Sequence, residues 1–103
     1  MPKIFEYLAY IIRFYSNDHL PVHVHIQYQN RESKAEFIFD DNSVILIFKK
    51  LKGKEPLNES EAREVAVFLK EYHLKIIEKW NKVFVYQQKV ECEVINTKLR
   101  KRK

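Results

Sequence analysis

The segment Asn17-Asp18-His19-Leu20-Pro21-Val22-His23-Val24-His25-Ile26 holds three of the chain's four histidines within seven residues. Imidazole serves as metal ligand, proton donor and proton acceptor near neutral pH, so this clustering points to a metal centre or a proton-transfer site. In a β-strand, side chains at i and i+2 project from the same face. His23 and His25 are therefore expected to point together, with Val22, Val24 and Ile26 turned the other way. Pro21 fixes the backbone just before this strand and keeps it extended, which would hold His19 near the other two rings.

Three readings follow from these residues. The first is a divalent transition metal such as zinc, held by His19, His23 and His25 with Asp18, or else Glu36, completing the set. The second is metal-independent ribonuclease-like chemistry in a small toxin. Here His23 and His25 serve as base and acid, Arg13 faces the phosphate, and Tyr15 or Tyr28 stacks a base. The third is non-catalytic: the histidines tie backbone carbonyls and the acidic turn together, and the aromatic residues and apolar helix stripe hold a protein partner or form a homodimer. Enzyme and binding module both fit these residues. His73, alone on the later helical segment, reads as a surface or packed histidine.

The elements that must position the histidines are legible in outline. Ile4 to Tyr15 is apolar and aromatic apart from Glu6 and Arg13, which predicts a buried strand or a bent pair of strands. Ser16-Asn17-Asp18 is turn chemistry, and the histidine strand runs on to about Tyr28. Gln29-Asn30-Arg31-Glu32 reads as a hairpin connection. Ala35, Phe37 and Phe39 then alternate with Lys34, Glu36 and Ile38 in a third strand. Asp40-Asp41-Asn42-Ser43 marks a turn before the apolar run Val44–Phe48, a fourth strand.

A charged connection with the chain's one glycine, Gly53, leads to Pro56-Leu57-Asn58. Asn58 followed three residues later by Glu61 has the spacing of a capping box. Apolar residues from Ala62 to Phe84 then recur at three- and four-residue intervals, one stripe of a helix spanning about 59 to 86. At 1.5 Å per residue such a helix would be about 42 Å long, too long for a compact domain of this size, so a break is expected near His73. Val90, Cys92 and Val94 alternate with charged residues as in a half-buried C-terminal strand. The expected fold is α+β: an antiparallel sheet of about four strands, then a long or kinked amphipathic helix across one face.

With 103 residues and no linker-like stretch, the chain is expected to form one domain over residues 1–96, with a basic tail at 97–103. The net charge of +5 resides in that tail, because without Lys98, Arg100, Lys101, Arg102 and Lys103 the acidic and basic side chains balance. Such a tail could contact RNA or DNA through phosphates, or be a solvated end. No apolar stretch approaches the ~20 residues of a membrane helix, and the N-terminus lacks a signal-type apolar core. A cytoplasmic protein with no membrane partner is expected. The single cysteine, Cys92, has no partner for an internal disulfide.

The opening Met1-Pro2-Lys3-Ile4-Phe5, the run Phe14-Tyr15-Ser16-Asn17-Asp18-His19, the His-x-x-x-His-x-His spacing and Trp80 on the later helix together resemble the domain-of-unknown-function 4160 family of small bacterial proteins. The resemblance covers roughly residues 1 to 86. The family core reads His-x-Pro-Pro-His-x-His, and Val22 stands here in place of its second proline. The resemblance assigns no activity. Some members lie beside toxin–antitoxin-like or small regulatory genes, which implies a component of such a system with the histidine cluster as its site.

Overall fold

A computed structural model of the chain describes residues 3–15 and 20–99, and it is α+β, as the pattern of strands before helices predicts. Five strands come first: β1 (Lys3–Tyr7), β2 (Tyr10–Arg13), β3 (His23–Tyr28), β4 (Arg31–Asp40) and β5 (Ser43–Lys50). Helices α1 (Glu59–Glu71) and α2 (His73–Phe84) follow, then a short β6 (Glu93–Ile95). All six described strands form one sheet in the order β5-β4-β3-β2-β1-β6, against about four expected before the helical segment and one after it.

The difference arises because Ile4–Tyr15 takes the second of its two expected forms, a pair of strands folded at Leu8 and Ala9 with Leu8 at φ 54°. Gln29 (φ 57°) and Asp41 (φ 52°) open the β3–β4 and β4–β5 turns in the same way. Tight two-residue hairpins need this left-handed backbone to match the strands' twist. Arg31 and Glu32 therefore belong to β4 rather than to the connection. Tyr28 pairs with Arg31 directly across the turn.

The expected C-terminal strand is present as β6 and lies parallel to β1, with Phe5, Glu6 and Tyr7 opposite Glu93, Val94 and Ile95. Its sidedness is the reverse of the expected one, since Val94 is exposed and Ile95 packs on the core. The cause is Lys79. Its ammonium is buried over the Phe5 ring, reaches the Glu93 carboxylate at 2.9 Å and donates to the Glu91 carbonyl at 2.6 Å, turning Glu93 inward. A buried cation requires such partners, and they outrank the alternation of Val90, Cys92 and Val94.

Both helices lie on one face of the sheet, and the core between them is aromatic. Phe68 on α1 packs against Phe5 (5.2 Å), Tyr7 (4.6 Å) and Tyr72 (4.5 Å). On α2, Trp80 meets Phe14 at 5.2 Å and Phe84 at 4.4 Å. The predicted capping box is present: Asn58 Oδ1 accepts from the Glu61 amide at 2.8 Å, and Glu61 Oε1 accepts from the Asn58 amide at 2.9 Å. Glu61 also receives both Nε and Nη2 of Arg31, which anchors the start of α1 to the start of β4.

The helical stripe breaks at Tyr72, next to the expected point. Tyr72 leaves helical geometry (φ −104°, ψ 13°), and the His73 ring donates through Nδ1 to the Lys70 carbonyl at 2.7 Å. A side chain inserted into the backbone ladder kinks a helix without proline or glycine. Among the described residues, no helix is long and apolar enough to cross a membrane.

Candidate functional site

Strand register builds the site. Paired residues of adjacent strands share a face, so Ile12, Ile26 and Ser33 form one cross-strand row on the helix side. The next row runs on the far side through Arg13, His25, Lys34 and Lys49, one residue from each of β2, β3, β4 and β5. His23 lies two residues from His25 and pairs with Glu36. The two imidazole rings stand 5.4 Å apart, centre to centre, and both side chains are buried.

Each ring is oriented by specific neighbours. His23 Nδ1 lies 2.8 Å from the Pro21 carbonyl, which can only accept, so Nδ1 carries the proton and Nε2 keeps its lone pair in the neutral ring. At this end of β3, Trp80 of α2 reaches the His23 ring at 5.5 Å. The His25 ring stacks flat on Tyr15 at 3.7 Å, and its Nδ1 is 3.8 Å from Glu32 Oε2. The Tyr15 hydroxyl donates to that same oxygen at 2.5 Å. Glu32 thus holds Tyr15 by a hydrogen bond and places a carboxylate oxygen facing the His25 ring.

Arg13 stands directly opposite His25. Its Nη2 makes one long contact of 3.5 Å with Gln27 Oε1, and its Nε is buried with no hydrogen-bond partner among the described residues. A buried guanidinium N–H left unpaired costs stability and marks a place where an anionic oxygen would be welcome. Lys34 and Lys49 continue the row, but both are engaged by Glu36, at 3.5 and 3.1 Å. Burial acts to raise the Glu36 pKa, yet the two lysines outweigh it and hold the carboxyl below the usual carboxylate range.

Glu36 therefore sits beside His23 as expected, but its oxygens serve the lysines rather than a metal. Of the four residues expected to bind metal, His23 and His25 come together while Asp18 and His19 lie outside the described residues. No group of three His, Cys, Asp or Glu among the described residues is arranged to hold a metal ion.

From the basic tail, Lys98 pairs with Glu64 of α1 at 3.5 Å, and the Leu99 amide donates to the Tyr7 hydroxyl at 2.9 Å. Residues 98 and 99 are thus tied to the helix side, away from the Arg13–Lys49 row, and Arg100, Lys101, Arg102 and Lys103 lie outside the described residues. Tyr28 stacks on Tyr10 at 4.5 Å within the helix-side packing, so of the two tyrosines considered, Tyr15 is the one at the histidines. Glu32 was missed because its segment read as a turn. Its signal lay in the chain all the same: counting back from Ala35 at strand period puts residue 32 on the parity of Lys34 and Glu36.

The model of the family described as a domain of unknown function (DUF4160) matches residues 9–81. The chain belongs to this family. The match begins at the β1–β2 turn and ends just after Trp80, so it takes in every side chain of the histidine site. It leaves out β1, β6 and the basic tail, and is shorter at both ends than the resemblance over residues 1 to 86. No curated protein and no solved structure matches the chain.

Proposed function

We propose that the chain is a metal-independent, ribonuclease-like protein acting within a toxin–antitoxin-like or regulatory system, with His23, His25 and Arg13 as its working residues. The observation that carries this reading is the β2–β3 register, which sets Arg13 directly across from His25. Cleavage of an RNA phosphodiester needs a base, an acid and a cation, and these three side chains supply one of each.

The neutral His23 ring, with Nδ1 donating to Pro21, offers Nε2 to take the proton of a ribose 2′-hydroxyl. The 2′-oxygen then attacks phosphorus and the bond to the 5′-oxygen breaks. His25, as the imidazolium facing Glu32, donates a proton to that leaving oxygen. The products are a 2′,3′-cyclic phosphate and a free 5′-hydroxyl, and the turnover leaves His23 protonated and His25 neutral, a state that solvent resets by removing the proton from His23 and returning one to His25. Arg13, whose side chain is only partly buried, holds the phosphate oxygens through its guanidinium as charge builds on them.

Incubation of the purified chain with short RNA in the presence of a chelator tests this. Fragments ending in 2′,3′-cyclic phosphate are expected, with rates lowered about 10²-fold or more in His25→Ala and in Arg13→Ala. Intact RNA after long incubation, together with normal growth of cells expressing the chain, would refute it.

A further inference from the structure

The two edges of the sheet differ sharply. β6 is a three-residue strand, the short form in which natural sheets blunt an edge. β5, at the other edge, is eight residues long and apolar over Val44-Ile45-Leu46-Ile47-Phe48, and none of the described strands pairs with its outer side. Ile45 and Ile47 are 46% and 41% exposed, with Ile38 of β4 beside them at 38%. A long, bare, apolar edge with unpaired backbone groups is a template for another strand.

We infer that β5 pairs antiparallel with β5 of a second copy of this chain, centred on Leu46, to make one continuous sheet through a twofold axis. The apolar run is close to a palindrome about that residue. In this register Ile45 lies opposite Ile47 of the second copy, Val44 opposite Phe48, and Leu46 opposite itself. Since an axis normal to the sheet preserves faces, the exposed isoleucines meet one another, while the half-buried Val44, Leu46 and Phe48 meet on the helix side.

Charge complementarity singles out a second copy as the occupant. Asp40 and Asp41 stand at one end of β5 and Lys49 and Lys50 at the other. Asp40, Asp41 and Lys50 form no ion pair among the described residues. Antiparallel pairing brings Lys49 opposite Ser43 and Lys50 opposite Asn42 of the second copy, next to its Asp40–Asp41 turn, and does so twice by symmetry. A partner in the parallel sense would set like charges together.

Light scattering or sedimentation of the full-length chain is expected to give twice the 12.5 kDa of one copy, falling toward that single mass on dilution. The double variant Ile45→Lys, Ile47→Lys should halve the mass at equal concentration. Its circular dichroism should match the parent's, because both side chains are exposed. Ile45→Glu combined with Ile47→Lys should restore the dimer, since residue 45 faces residue 47 across the axis. A monomer at every concentration, or a dimer indifferent to the double lysine variant, would overturn the inference. So would failure of the Glu–Lys combination to restore pairing, which would remove the Leu46-centred register.

Discussion

The helix side and the far side of the sheet are built from the same strands, yet they follow opposite rules. On the helix side Phe5, Tyr7, Ile12, Val24, Ile26 and Ala35 are buried among aromatic rings, and the polar groups there are matched. The Tyr10 hydroxyl donates to Glu64 at 2.8 Å, and burial followed by that carboxylate pushes the phenol well above its ordinary pKa. On the far side, at His25, Glu32 and Glu36, titratable groups are buried, and Arg13 keeps a buried donor with no hydrogen-bond partner among the described residues. One parity of each strand supplies cohesion, and the other gathers the side chains on which the proposed chemistry rests. Buried titratable groups add little to stability, so the far side is the face on which the proposed chemistry can be tested without unfolding the protein.

The largest expected effect lies on the helix side. Phe68→Ala removes a ring in contact with Phe5, Tyr7 and Tyr72 and should lower stability by about 3–5 kcal/mol, read from the urea midpoint. RNA cleavage under conditions where the variant stays folded should be little changed, since no residue of the proposed trio touches this ring. A small loss of stability, or a selective loss of cleavage, would break the division between the two sides.

How much of that division the chain announces can be judged from single residues. The alternation of His23 and His25 with Val24 and Ile26 is explicit, and so is the Asn58–Glu61 box that starts α1. The stripe from Ala62 to Phe84 shows its helices, and length alone argues for a break near His73, although the bond from His73 to Lys70 that accompanies the break is a three-dimensional event. A bent pair over Ile4–Tyr15 is one of the two forms expected, but its turn at Leu8 is not placed by the sequence, because leucine at positive φ carries no turn signature. Without that turn position, the register placing Arg13 across from His25 could not be derived. Nor could the inward turn of Glu93, which depends on Lys79 arriving from another element.

A smaller effect tests the contact that locks the helix layer to the sheet. Arg31 holds the Glu61 carboxyl below its ordinary value of 4.5, assisted by the Asn58 amide, while burial opposes them. A carboxyl with a lowered folded-state pKa adds stability above its unfolded value, and this is lost as pH falls through the folded value. The parent protein should therefore weaken as pH drops below about 4.5 toward the folded value, and Glu61→Gln should flatten that part of the stability–pH curve. An unchanged slope in the variant would show that the Arg31–Glu61 pair does not couple proton binding to folding. Asn58→Ala, which removes only the cap, should cost about 1 kcal/mol at neutral pH.

The smallest change in stability is the sharpest test of the far side. Arg13→Met keeps the length and apolar stem of the side chain while deleting the guanidinium, whose Nε has no partner among the described residues. Removing an unsatisfied buried donor abolishes its desolvation cost, so stability should stay within about 0.5 kcal/mol of the parent or rise. RNA cleavage should fall as steeply as in Arg13→Ala. A clear loss of stability would mean that Arg13 holds β2 to its neighbours, and the far side would then be cohesive in the same way as the helix side. Full cleavage in a stable Arg13→Met protein would detach the guanidinium from the chemistry and leave the two imidazoles to act without it.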